Sequence, residues 1–288
     1  MVQKSKKLLK LLLKIALTFS AFWVVFSKVS LEDVSDVLKT SNIWYLSLAF
    51  VFFNLSKITS AVRLNYYFSI LKIKLDWLKN LILYYIGMFY NLFLPGGIGG
   101  DGYKIYLLKK EYGAETKRLI AATVLDRISG LIPLLVFLGV FYLLSSFRSY
   151  NYLLNIVDII SLFVVIPAFY LVSKLYFPLF MPVFNTTLLY GFLVQFLQIV
   201  CAYFIFLALG IDHYMMEFMF FFLLSSIVAV LPITVGGAGA RELVFLYGLN
   251  YLHLDTTIGI AFALLFFLIS ALSSLIGSVF KNPFAKEL

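Results

Sequence analysis

Two stretches decide the fold: Leu94-Pro95-Gly96-Gly97-Ile98-Gly99-Gly100-Asp101-Gly102-Tyr103-Lys104 and Leu231-Pro232-Ile233-Thr234-Val235-Gly236-Gly237-Ala238-Gly239-Ala240-Arg241. They share a leucine, a proline, a β-branched apolar residue, three glycines and a closing cation at one fixed offset, since 231 − 94 = 137 and 241 − 104 = 137. Glycine and proline at this density break a helix. Each stretch closes an apolar run of fourteen residues, 81–94 and 218–231. As a helix such a run reaches about 21 Å, short of the roughly 30 Å hydrocarbon core of a bilayer.

Around these two runs the chain is apolar throughout. It has 288 residues, 62% of them hydrophobic and 13% charged, where soluble domains run at about 45–50% and about 25%. Six further apolar runs, 12–29, 42–62, 119–144, 153–175, 187–209 and 257–280, match the length of a spanning helix. No polar stretch approaches the roughly 50 residues of a separate soluble domain, so residues 1–288 read as a single membrane domain. Lys4, Lys6, Lys7 and Lys10 precede the first run without a small-residue cleavage site after it, which predicts an uncleaved span.

Charge placement sets the expected topology. Arg63, Lys72, Lys74 and Lys79 precede the first short run, and Lys109, Lys110, Lys117 and Arg118 follow it, so both flanks are expected in the cytoplasm. Asp212, Glu217 and Asp255 flank the second, so its flanks are expected outside. Each short run then enters, turns at its Gly/Pro tip and returns. The expected fold is an all-α polytopic membrane protein with six full spans and two oppositely oriented re-entrant hairpins. Repeat 1 covers about residues 8–144 and repeat 2 about 150–281. Three spans per repeat, an odd number, invert the second copy. Both termini are expected in the cytoplasm and the protein in the cell membrane; Arg148 is the one basic residue in a loop assigned outside. Inverted repeats with broken helices near the midplane are a transporter architecture.

The chemistry-bearing residues cluster at and after the tips. Glycines alone are explained by close helix packing. The repeated cation is not: Lys104 and Arg241 fall in the first turn of a half-helix, whose N-terminus already carries positive charge. An anion there, such as a phosphate, explains the choice twice. Gly99, Gly100, Gly102, Gly236, Gly237 and Gly239 could add backbone N–H donors. Asp126 and Arg127 lie inside a span, where charges need partners or a cavity. The expected partners are Arg241 or Lys104 for Asp126, and Glu242 for Arg127. Asp126 and Glu242 would orient the cations or carry a coupled proton, and Asp101 would cap its half-helix. Lys57 and Arg63 read as snorkelling side chains. Gln195 and Gln198 either line the cavity or bond across helices.

Other classes are excluded. Cys201 is alone, His213 and His253 are far apart, and no HExxH spacing occurs, so no metal site and no cofactor is expected. The net charge of +9 borders apolar spans and does not point to nucleic acid. No P-loop is present, so uphill transport would need an ion gradient.

The sequence Pro95-Gly96-Gly97-Ile98-Gly99-Gly100-Asp101, then Asp126-Arg127-x-x-Gly130, then Pro232-x-x-x-Gly236-Gly237-x-Gly239-x-Arg241-Glu242 resembles the flippase-like membrane domain of lysylphosphatidylglycerol synthases. That resemblance implies movement of lipids or lipid-linked molecules between leaflets. The family commonly carries Glu-Arg where Asp126-Arg127 stands and often Arg where Lys104 stands; both changes keep charge. Its full synthases add a soluble lysyltransferase domain, of which no catalytic residue occurs here, so no enzyme activity is expected. The expected substrate is an anionic or aminoacylated phospholipid or a polyprenyl-phosphate carrier, bound by Lys104, Arg127 and Arg241. The alternatives are an intramembrane head-group enzyme using Asp126 or Glu242 as acid or base, and a membrane partner of a separately encoded lipid-modifying enzyme.

Overall fold

The structure, a computed structural model, describes residues 23, 31–93, 98–149, 152–230 and 239–284. The expected first span 12–29 (apart from Trp23), the tip residues 94–97 and the tip residues 231–238, with Gly236 and Gly237, lie outside the described residues.

The described residues form α-helices and two short 3-10 turns. They are α1 (Leu31–Thr40), α2 (Ile43–Ile70), α3 (Trp77–Phe93), α4 (Gly99–Tyr112), α5 (Thr116–Leu144), α6 (Tyr152–Tyr176), α7 (Phe184–Ala208), α8 (Met215–Val230), α9 (Ala240–Tyr251) and α10 (Thr256–Val279). Five segments are long and apolar enough to cross a membrane: α2, α5, α6, α7 with the turn that leads into it, and α10. The chain is therefore an all-helical, multi-pass membrane protein.

Local chemistry fixes the helix ends. Asn42 caps α2, its Oδ1 accepting the Trp44 N–H at 2.9 Å, and Asp255 caps α10 through the Thr257 N–H at 2.8 Å. Gly113 ends α4 with φ +64°, the left-handed conformation that only glycine adopts without strain. α2 runs to Ile70, eight residues past the expected end at 62 (70 − 62 = 8). The expected end assumed that Arg63 sat at the interface. It is buried inside the bundle instead, so the helix continues through it.

The elements recur at the same offset as the tips. Adding 137 to α3 (77–93) gives 214–230, where α8 is Met215–Val230. Adding 137 to α5 (116–144) gives 253–281, where α10 is Thr256–Val279. The packing partners also exchange: α3 lies on α10 as α8 lies on α5, α3 pairs with α4 as α8 with α9, and α2 packs along α7 in the middle.

Two large apolar cores and a smaller one around Val34, Leu246, Ile260 and Ala261 hold the bundle. One large core gathers Phe53, Phe218, Phe222, Phe245, Phe262 and Phe266 with their neighbours. The other gathers Leu64, Tyr67, Phe68, Leu107, Leu108 and Leu125 with theirs. Each long central helix contributes to both large cores and is polar between them. On α2 the polar stretch is Ser56, Lys57, Ser60 and Arg63; on α5 it is Asp126, Arg127 and Ser129; on α7 it is Gln195 and Gln198. These positions fall near the middle of each helix, so the polar layer lies at mid-depth in the spans.

Candidate anion site in the polar layer

α3 and α4 pack antiparallel, because Gly100 backs onto Gly87 while Lys104 lies over the Tyr84 ring at 4.8 Å. A Cβ at Gly100 would meet the Gly87 carbonyl, so glycine is required there by the backbone approach of the two helices. Asn91 of α3 takes the Gly100 N–H at 2.8 Å, and the Gly102 N–H goes to the Ile98 carbonyl at 3.0 Å. Two of the amides expected to face an anion are thus bonded within the protein. Asn91, not Asp101, is the side chain that satisfies the start of α4.

Asp101 has another task. Its carboxylate accepts from Lys104 Nζ at 3.1 Å and from Arg127 Nε at 2.6 Å, tying α4 to α5. Arg127 therefore pairs with Asp101 and not with Glu242. Asp126 pairs with Arg63 of α2, Nε to Oδ1 at 2.8 Å, and not with Arg241 or Lys104. The Arg63–Asp126 pair is buried, so Arg63 does not snorkel. Arg63 Nη1 is buried without a hydrogen-bond partner among the described residues, as is Gln195 Oε1. Gln195 bonds across helices, donating from Nε2 to the Gly130 carbonyl at 3.1 Å. The guanidinium of Arg63 lies over Gly130, where an added Cβ would come within 3.0 Å of Nη1. That explains the glycine of the Asp126-Arg127-x-x-Gly130 motif.

The second half is built differently. Arg241, in the first turn of α9, donates from Nη1 to Ser226 Oγ at 2.9 Å and to Ser225 Oγ at 3.4 Å, and lies over the Phe266 ring at 4.8 Å. Lys57 lies over the Phe53 ring at 4.5 Å, and the two rings meet edge to face at 5.6 Å. Arg241 and Arg63 are among the charges that act on Lys57. Neither Lys57 nor Arg241 has a carboxylate within ion-pair distance among the described residues. Glu242 is fully buried, and neither of its oxygens has a hydrogen-bond partner among the described residues. The N–H groups of Gly239 and Glu242 act on it electrostatically without meeting hydrogen-bond geometry. Gly239 itself precedes α9 with φ +80°.

The polar layer thus contains five cations, Lys57, Arg63, Lys104, Arg127 and Arg241, against three carboxylates, Asp101, Asp126 and Glu242. Arg63, Lys104 and Arg127 are neutralised; Lys57 and Arg241 are not. The sequence marks Lys57 and Arg63 only as snorkelling side chains and does not mark Ser225, Ser226 or Asn91. One signal was present: Ser56, Ser60, Arg63 and Tyr67 recur at helical spacing, and all four are buried on one stripe of α2.

Fold and site together define a multi-pass helical membrane protein with a cation-rich polar layer near the middle of its long helices. The chain belongs to the family described as the lysylphosphatidylglycerol synthase TM region, whose model matches residues 11–277. It is also similar to the UPF0104 membrane protein PH1989 of Pyrococcus horikoshii, with 23% identity over 83% of this chain and 85% of the relative.

Proposed function

We propose that this protein moves a phosphate-bearing lipid between the leaflets of the cell membrane. The substrate class is an anionic or aminoacylated phospholipid, or a polyprenyl-phosphate carrier. The observation that carries the reading is the charge imbalance of the polar layer. A cation at membrane depth costs about 2.5–3.5 kcal/mol on insertion scales, and Lys57 and Arg241 bear that cost with no carboxylate partner among the described residues. An arriving phosphate would neutralise both. Arg63 Nη1 adds a donor to the same layer.

The architecture supports the same reading. α3 and α8 are 17 and 16 residues long, about 26 and 24 Å, each paired antiparallel with a short helix that starts after a Gly/Pro tip. We take α3–α4 and α8–α9 as re-entrant hairpins rooted on opposite sides, related by an inverted repeat. Non-helical backbone at membrane depth requires protein or a cavity around it. Asp101 then acts as a resident anion. It holds Lys104 and Arg127 together until a phosphate displaces it, while Lys57 and Arg241 form the site that is open to substrate charge.

Reconstitution into liposomes with labelled phosphatidylglycerol and a labelled polyprenyl phosphate tests the proposal. Translocation above that of empty liposomes is expected for at least one phosphate-bearing lipid. Rates equal to empty liposomes across the set would contradict it. Mass spectrometry of the recovered lipid separates transport from head-group chemistry, because transport leaves the head-group mass unchanged.

A further inference from the structure

Every carboxylate of the polar layer except one is held by a cation. Asp101 binds Lys104 and Arg127, and Asp126 binds Arg63. Glu242 is the exception: it is fully buried, its two oxygens have no partner among the described residues, and it makes no ion pair with Arg241 beside it in sequence. Arg241 turns instead to Ser225, Ser226 and the Phe266 ring.

Among the described residues the helices around Glu242 supply it no cation besides Arg241, and the N–H groups at the start of α9 act on it without hydrogen-bonding it. α10, which packs on α9, carries no ionisable side chain. α8 carries only Glu217, nine residues before Ser226 and so about 13 Å away along the helix; its Oε1 accepts the Ser146 N–H at 2.8 Å. α1, which meets α9 through Leu246, carries Glu32, Asp33, Asp36 and Lys39, of which Asp36 and Lys39 pair at the surface. The remaining ionisable groups of α9 are Tyr247 and Tyr251 toward its other end. The charge that acts on Glu242 is Arg241.

An ionised carboxylate is not stable in such a place, whereas the neutral acid is tolerated. We infer that Glu242 is the proton carrier of this protein, taking up one proton each time the second half closes around a bound anion. The inference rests on the transport reading above. When the second half opens to water, the Glu242 acid releases its proton and becomes an ordinary carboxylate. On closure that carboxylate must regain a proton from water. A charged Glu242 would also compete with the incoming phosphate for Arg241, so anion binding and protonation favour each other. Proton and lipid anion then move in the same direction. The first half is not assigned this part, because Asp101 and Asp126 each meet a cation in this structure.

Proteoliposomes containing labelled phosphatidylglycerol, with a pH gradient imposed, give one readout. The lipid should accumulate in the leaflet facing the alkaline compartment, measured with a membrane-impermeant quencher. E242Q, which mimics the protonated acid at the same size, should remove the response to the gradient, whatever rate remains at equal pH. A wild-type protein that moves the lipid without gradient bias, or an E242Q variant that keeps the full bias, would overturn the assignment. A second readout does not depend on transport. The wild type in detergent at neutral pH should show the infrared carbonyl band of a protonated carboxyl, and E242Q should lack that component. Identical bands in the two proteins would show that Glu242 is ionised and overturn the inference. If no phosphatidylglycerol moves at all, the transport reading fails for that lipid and the infrared result alone decides the state of Glu242.

Discussion

At Arg63, a guanidinium in the middle of a spanning helix donates to Asp126 at 2.8 Å and is covered by Gly130. Removing one partner of a buried ion pair strands the other and typically costs about 3–5 kcal/mol. Arg63→Gln and Asp126→Asn should each lower thermal stability in detergent by about that amount. The double variant should lose less than the sum of the two, and additive losses would show that the pair is not coupled. Gly130→Ala puts a methyl group against the guanidinium and should reduce transport and stability together. Gly102→Ala meets nothing within 4 Å and should leave the melting temperature unchanged or raise it, since alanine is favoured over glycine in a helix by up to about 1 kcal/mol. The sequence marks Asp126, Arg127, Lys104 and Arg241 as unusual because charges at membrane depth stand out. It does not say which cation meets which acid. That pairing depends on how α2, α4 and α5 cross, and Arg63 lies 63 residues from its partner (126 − 63 = 63).

At the scale of elements, the helix pairs α3–α4 and α8–α9 position the site. Their existence is legible from the proline and glycines that stop each short apolar run. The internal contacts are not, because a tip glycine looks the same whether it frees an amide for a ligand or lets two backbones touch. Gly100 does the second, with its N–H held by Asn91. Asn91→Ala removes that side-chain acceptor and should cost about 0.5–2 kcal/mol, the range of a lost helix cap. Gly100→Val should be far worse, because the Gly87 carbonyl is backbone and cannot turn aside. Thermal melts of the two variants check the order; equal losses would mean that α3 and α4 do not approach at this point. The end of α2 shows the same limit of sequence reading. A basic residue near the close of an apolar run reads as an interface anchor, and only tertiary packing reveals that Arg63 is enclosed.

Across the whole molecule, the 137-residue offset relates the tips, the helices that carry them and the cations Lys104 and Arg241, but the carboxylates Asp101 and Asp126 do not repeat. Asp101 corresponds to Ala238 and Asp126 to Ala263 (101 + 137 = 238; 126 + 137 = 263). The first half therefore pairs Arg63, Lys104 and Arg127 with its own acids, while Arg241 of the second half has no acid partner among the described residues. If the halves are inverted, Lys110 and Asp255 lie on opposite sides of the membrane. Single cysteines at these positions, in a background with Cys201 replaced, should separate cleanly. An impermeant thiol reagent outside intact cells should label position 255 and spare position 110; labelling of both from one side would show parallel repeats. The central claim, that Lys57 and Arg241 receive the lipid phosphate, is tested most directly by lipid selectivity in proteoliposomes. Labelled phosphatidylglycerol should move at least about tenfold faster through the wild type than through Lys57→Gln/Arg241→Gln, a tenfold change being about 1.4 kcal/mol of lost interaction. Equal rates for the two proteins would contradict the account.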